Sequence, residues 1–272
     1  MCIDCGCSPP DHHHHHHGHE HGHEHGHGHD HGPSEGHKTV SIEEDILAKN
    51  DRLAGLNRAL FSEKGLFALN LVSSPGSGKT SILERTLTDL RGRLGFVVLE
   101  GDQQTANDAE RIAATGFPVH QINTGAGCHL DAHMVGHGVE HLDLEAAEVL
   151  MIENVGNLVC PAGFDLGEDH KVAVLSVTEG EDKPLKYPHM FRAAEVLLIN
   201  KVDLLPYLKF DLEKCRGYAL RVNPRLRIFE LSSLTGQGME PWYGWLEEGA
   251  GRKGVRREEK HLTPHHESDE GA

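Results

Sequence analysis

The chain has 272 residues, a length that fits one or two domains. Lysine and arginine total 26 against 42 aspartates and glutamates, a formal charge of −16. That excess argues against a general affinity for nucleic acid or anionic membrane, since both attract basic surfaces. No apolar run approaches the ~20 residues that span a bilayer. The N-terminus has no charged start followed by an apolar stretch, so no secretory signal is expected and the expected compartment is the cytoplasm.

Residues 1–40 contain almost no large apolar side chains. Burial cannot offset the entropy of ordering them, and the segment is predicted to be disordered. It is rich in metal ligands instead. Cys2, Cys5 and Cys7 place three thiols within six residues, enough to surround one soft or borderline ion. With Met1 removed, the α-amine of Cys2 adds a fourth ligand, a set suited to Ni²⁺, with Zn²⁺ as the alternative. Of the 24 histidines, fourteen lie between His12 and His37. His12–His17 are consecutive, which fits a purification tag. The acidic, glycine-spaced continuation to His31 does not, and the tract reads as a metal reservoir of modest selectivity.

From Ser41 the pattern changes. Ser41 and Glu44 fit a capping box, and Ile42, Ile46, Leu47, Leu53, Leu56 and Leu60 recur at helical spacing. A strand is predicted over Leu66–Val72, a helix from Lys79 to about Arg91, a strand over Phe96–Leu99 and a polar helix from about Thr105 to Ala114. Val149–Ile152, Val172–Val177, Val196–Ile199 and Leu226–Leu231 are further apolar strands, and Met239–Glu248 is the last helix. Nearly continuous apolar strands between helices predict an α/β fold, a mostly parallel sheet with helices on both faces. The predicted domain spans 41–248, with a loose charged tail over 249–272.

Ser73-Ser74-Pro75-Gly76-Ser77-Gly78-Lys79-Thr80 follows a strand and opens a helix, the context in which a P-loop is credible. Backbone N–H groups from Ser74, Gly76, Ser77, Gly78 and Ser81 would face phosphates, Lys79 would reach the β- and γ-phosphates, and Thr80 would ligate Mg²⁺. Ser73 stands where the pattern asks for glycine. Asn200-Lys201-Val202-Asp203 follows a later strand and matches the N-K-x-D element that reads guanine: a carboxylate there pairs with donors that adenine lacks. Ser232, after the next strand, would support the base through its backbone. Asp102 and Glu153 sit at strand ends where a carboxylate holds Mg²⁺ or orients water, and Gly156 is placed to sense the γ-phosphate. Lys79, Asp102 and Glu153 are therefore the expected catalytic set. No arginine finger or positioned glutamine is evident, so hydrolysis is expected to be slow.

A further metal candidate lies inside the domain. Cys128-His129 in a glycine-rich loop and Cys160 before Pro161 make a three-ligand site that leaves room for water or a partner's ligand. Cys160 follows Gly156 closely, so a loop ordered by GTP would move a metal ligand. His129, His133, His137 and His141 recur every four residues, although Gly136 and Gly138 weaken a helix there. Cys215 reads as a small packed hydrophobe.

Together these segments, with Glu100-Gly101-Asp102, Gly127-Cys128-His129-Leu130-Asp131, Glu153 to Pro161 and Thr178 to Pro188, resemble the HypB family, nickel-incorporation GTPases of nickel–iron hydrogenase maturation. Ser73 and Glu153 are departures that this family itself shows. The resemblance implies a GTP-dependent homodimer with the Cys128, His129 and Cys160 site at or near the subunit interface. It also implies a tight nickel site at Cys2, Cys5 and Cys7. Its implied partners are a small zinc- and nickel-binding maturation protein, resembling HypA, and the hydrogenase large-subunit precursor. A metallochaperone GTPase serving urease and a nickel storage protein with a vestigial nucleotide site are the alternatives; a phosphotransferase is disfavoured by Asn200–Asp203.

Overall fold

The computed structural model describes residues 35–103 and 107–262. Cys2, Cys5, Cys7 and the tract His12–His31 lie outside them. Helix α1 (Glu35–Lys64) leads into β1 (Phe67–Ser73), α2 (Lys79–Asp89), β2 (Phe96–Asp102), α3 (Asn107–Ala113), β3 (Val119–Asn123), α4 (Ala132–Val139) and β4 (Val149–Glu153). After a 3₁₀ turn at Cys160–Gly163 come β5 (His170–Ser176), α5 (Lys183–Lys186), α6 (Pro188–Ala193) and β6 (Val196–Asn200). A second 3₁₀ turn (Val202–Tyr207), α7 (Leu212–Val222), β7 (Arg227–Glu230) and α8 (Met239–Leu262) complete the order. The seven strands form one sheet in the order β3-β2-β4-β1-β5-β6-β7, and every pairing is parallel.

Alternation along β1 shows why both faces are apolar. Phe67, Leu69 and Leu71 pack with Ile82, Leu83 and Leu87 of α2 and Trp242 and Leu246 of α8. Ala68 points the other way, joining Phe61 of α1 and Val135 and Val139 of α4. A third cluster gathers Val72, Leu175 and Leu197 with Phe191 of α6 and Cys215 and Ala219 of α7. Burial pushes the Cys215 thiol up to about 12, so it stays protonated as part of the core.

Three expectations need correction. Helix α1 starts at Glu35, within the segment expected to be disordered, so Ser41 and Glu44 sit inside a helix instead of capping it. Nothing between Lys38 and Val40 breaks a helix, and extending one costs far less than nucleating it. Helix α8 continues past Glu248 to Leu262, so residues 249–262 are helical rather than a loose tail. Ala250 is buried in the core, and Lys253 pairs with Asp169 at 2.5 Å. Strand β3 was not expected at all: it is a half-exposed edge strand whose polar side chains give no apolar run.

Helix α4 forms despite its two glycines because it lies directly on the sheet. A β-carbon at Gly138 would meet Ile122 Cδ1 at 2.8 Å and Leu99 Cδ2 at 3.0 Å. Asp131 caps the helix by accepting from the Met134 N–H at 2.8 Å.

Candidate functional site

The carboxyl ends of β1, β2, β4 and β6 converge, the region where parallel α/β sheets bind ligands. The loop after β1 wraps into α2 through Gly76 and Gly78, both left-handed at φ 77° and 97°. A β-carbon at Gly78 would lie 2.5 Å from Asn200 Nδ2, so glycine is required twice over. Lys79 is buried, and its Nζ donates to Ser73 Oγ at 3.0 Å. Ser73, in place of the expected glycine, thus gives the lysine a partner. Ser81 Oγ accepts from Arg111 Nη2 at 3.1 Å. A cleft of about 510 Å³ lies before the loop, lined by Gly76, Lys79, Thr80, Asp102, Glu153 and Gly156 among others.

Two carboxylates beneath this cleft are crowded. Glu100 and Glu153 face each other in register across β2 and β4, and both are buried. Thr80 Oγ1 donates to Glu153 Oε1 at 2.8 Å, while Oε2 of Glu153 and Oε2 of Glu100 have no hydrogen-bond partner. Burial, with Glu153 and Asp102 nearby, pushes the Glu100 carboxyl up to about 8; burial pushes Glu153 up to about 7. Paired acids with orphaned oxygens are a donor set that fits a hard dication such as Mg²⁺. Asp102 lines the cleft from the end of β2, its Oδ1 accepting from the Gln103 N–H at 2.7 Å.

The N-K-x-D element closes the other side. Asn200 braces two loops, donating from Nδ2 to Ser77 O at 3.0 Å and accepting at Oδ1 from the Ser233 N–H at 3.1 Å. Lys201 adopts φ 64° and donates to Gly76 O at 2.7 Å. Asp203 Oδ1 is buried without a partner. Together with Lys201, Ser233 and Leu234 it lines an adjoining cleft of about 530 Å³. Ser232 is buried, and its Oγ accepts from the Thr235 N–H at 3.1 Å.

The structure brings Cys128, His129 and Cys160 together: one potential ligand atom from each lies within 4.8 Å of the others. Cys128 Sγ is 3.4 Å from His129 Nδ1. The His129 ring packs on Phe164 at 4.0 Å, and burial lowers its pKa, which favours the neutral, metal-binding imidazole. Asn157 joins the two cysteine segments: its Oδ1 accepts from Val159 N (2.8 Å) and Cys160 N (3.4 Å), and its Nδ2 donates to Cys128 O at 3.5 Å. Asn154 Oδ1 accepts from Leu130 N at 3.0 Å, and its Nδ2 donates to Asn70 Oδ1 at 3.2 Å. Lys171, a buried lysine whose pKa burial lowers, donates to Pro161 O and Phe164 O at 2.9 Å each. The two ligand-bearing loops are therefore moored to β1 and β5. At Gly156 the same stretch reaches the phosphate loop, where a β-carbon would lie 3.1 Å from Pro75 Cα.

Several of these residues were given no role by the sequence reading, although Glu100, Glu179 and Lys183 fall in segments that carry the family resemblance. Glu179 accepts from Ser77 Oγ at 2.5 Å and pairs with Lys183 at 3.3 Å, and Lys183 Nζ donates to Ser74 Oγ at 3.1 Å. Asn70 had one available signal, since it interrupts an otherwise apolar strand buried along its length, whereas Glu100 and Lys171 lie just outside the apolar runs of their strands.

Residues 67–230 match the family described as CobW/HypB/UreG, nucleotide-binding domain. The hydrogenase maturation factor HypB of Rhizobium leguminosarum bv. viciae is 62% identical over 219 residues, covering 80% of this chain and 73% of its own. HypB of Escherichia coli K12 is 60% identical over 210 residues, covering 77% and 72%. The crystal structure of HypB from Archaeoglobus fulgidus gives a TM-score of 0.70 at 41% identity, covering 75% of this chain and 99% of that one. HypB from Helicobacter pylori in complex with nickel gives 0.72 at 40% identity, covering 75% and 96%. With this similarity extending through a P-loop and the strands around it, the chain belongs to the HypB family of hydrogenase maturation factors.

Proposed function

We propose that this chain is a GTP-hydrolysing nickel metallochaperone that delivers Ni²⁺ during maturation of nickel–iron hydrogenase. The nucleotide lies across the two adjoining clefts. Guanine fits the Asp203 end, where a buried acceptor has no donor, and the phosphates fit the Lys79 end. Ser74, Gly76, Ser77, Gly78 and Ser81 hold the phosphates, while Asn200, Lys201 and Ser232 frame the base. Thr80 and Asp102 would hold Mg²⁺, with Glu153 and Glu100 beneath, and the ion would neutralise charge on the β- and γ-phosphates. Lys79 supplies positive charge to the same oxygens, and Asp102 or Glu153 orients water. Hydrolysis is slow without a partner.

Nickel is the cargo. It binds at Cys128, His129 and Cys160, with Zn²⁺ as a competitor, and separately at Cys2, Cys5 and Cys7. Support comes from the donor set and from the nickel complex of the Helicobacter pylori neighbour. The observation that carries the coupling is the short run from Gly156, against Pro75, through Asn157 to Cys160. GTP draws Gly156 to the phosphates, shifts the Cys160 segment and favours a cytoplasmic homodimer; hydrolysis releases both. Nickel then passes to a small zinc- and nickel-binding partner, resembling HypA, and on to the hydrogenase large-subunit precursor. Among the described residues no helix is long and apolar enough to cross a membrane. A second reading, service to urease, is favoured by the name hydrogenase/urease maturation factor carried by the Helicobacter pylori relative, 41% identical over 218 residues. Nickel affinity and dimer fraction of the purified protein, measured with GDP and with a non-hydrolysable GTP analogue, test the proposal. Identical values in both states would refute the coupling.

A further inference from the structure

Arg111 has no part in the function proposed above. It belongs to α3, which is seated by Ile112, a member of the same buried cluster as Leu83 and Leu87 of α2. Its guanidinium bridges the two helices. Nη2 donates to Ser81 Oγ at 3.1 Å and to Glu84 Oε2 at 2.6 Å, and Nη1 donates to Asp108 Oδ1 at 3.3 Å. These bonds engage three of the five N–H groups that an arginine carries. The side chain is still 43% exposed, so the ion pairs are surface pairs of small worth that a stronger anion can displace.

Position identifies that anion. Ser81, Arg111 and Lys201 line both clefts of the nucleotide site and so mark the junction between them. In a guanine nucleotide laid across the two, the ribose and the α-phosphate connect the base to the β-phosphate, so the junction receives them. Lys201 is committed there to Gly76 O at 2.7 Å. Arg111 brings a planar fork, the geometry that grips two phosphate oxygens at once. We infer that Arg111 is a further nucleotide-binding residue, which exchanges Glu84 for the α-phosphate. The inference rests on the reading of the two clefts as one guanine-nucleotide site. At the α-phosphate Arg111 holds GDP and GTP alike and stands apart from the transfer of the γ-phosphate, in keeping with slow hydrolysis.

The test uses the full chain, GDP, and GDP with sulfur in place of either non-bridging α-oxygen, with affinities read by calorimetry. Arg111→Ala should weaken GDP binding about tenfold, the loss expected for a hydrogen bond to a charged group. Arg111→Lys should lose less, since it keeps the charge without the fork. One of the two α-thio diastereomers should bind the native chain several-fold more weakly than GDP, and that penalty should vanish in Arg111→Ala. If Arg111→Ala does not fold, Arg111→Lys carries the same comparison, with a reduced penalty expected. Glu84→Ala should leave GDP affinity unchanged or raise it, because it releases the guanidinium. A loss in Glu84→Ala as large as in Arg111→Ala, or thio penalties that survive both arginine substitutions, would overturn the inference and leave Arg111 as a staple between α2 and α3. No GDP binding by the native chain would refute the nucleotide site itself, and this inference with it.

Discussion

The phosphate loop and the loop carrying Cys160 meet at Gly156, yet they are fastened differently. Charged side chains lock the phosphate loop: Lys79 on Ser73, Lys183 on Ser74, Glu179 on Ser77 and Lys201 on Gly76. Neutral amides and one buried ammonium hold the thiol loop through backbone atoms: Asn154, Asn157 and Lys171. In the proposed function the first arrangement exchanges these internal partners for phosphate oxygens. The second keeps its shape through backbone contacts and gathers the two sulfurs and the imidazole within 4.8 Å of one another. Nucleotide chemistry and cargo binding should therefore be separable by mutation, except where Asn157 and Gly156 join them.

The largest expected effect is at the charged end. Lys79→Ala should cut GTP hydrolysis about 10²–10³-fold in a phosphate-release assay, since it removes a charge aimed at the reacting oxygens. Nickel affinity measured with GDP should hardly change. Asp203→Asn should weaken GDP binding about 100-fold by calorimetry, the loss expected when a paired carboxylate is removed from a base site. At the other end, Cys160→Ser should lower nickel affinity at the domain site at least tenfold, with hydrolysis intact. That reading requires Cys2, Cys5 and Cys7 to be replaced as well, so that their nickel does not mask the loss.

Asn157→Ala probes the junction. It leaves the Val159 and Cys160 N–H groups without their acceptor, at about 1–2 kcal/mol by denaturant unfolding. The difference in nickel affinity between GDP and GTP-analogue states should shrink several-fold, while hydrolysis in the absence of nickel stays the same. An unchanged difference would show that the signal bypasses Asn157. The smallest effect is a pH dependence away from both loops. His170 packs between Phe67 and Trp245 with a buried, unpartnered Nδ1, and burial lowers its pKa. The unfolded imidazole gains its proton near pH 6.5, whereas the folded one resists it. Its stabilisation is therefore complete above that pH and lost as pH falls toward the depressed folded value. His170→Phe should flatten the melting temperature between pH 7.5 and 5.5 by a few degrees at most, because His120 and His129 are shifted the same way.

What the sequence revealed divides along the same line. Residue types suited to a nucleotide or a metal come in short motifs, so Lys79, Asp203, Cys128, His129 and Cys160 could be singled out directly as candidates. Partners that meet only after folding carry no local pattern. Glu179 reaches Ser77 across 102 positions and Asn70 reaches Glu168 across 98. Long apolar strands were legible because burial on both faces leaves a continuous run. Strand β3 was hidden because half its surface is wet, and the full length of α8 because polar residues conceal a helix that core contacts extend. The histidine repeat was legible as a pattern but not as geometry, since the end of α4 turns His141 toward His120.

In the register of β1 with β5, Asn70 lies opposite Lys171. Asn70 bonds Asn154 on one side and Glu168 on the other, and Lys171 grips the carbonyls behind Cys160. Both halves of the thiol site thus trace back to one spot deep in the sheet. A protein engineer who grafts residues 127–131 and 153–164 onto a foreign P-loop scaffold would transfer the ligands without their foundations. Such a chimera should hold nickel loosely until the interior asparagine, glutamate and lysine are transplanted with them.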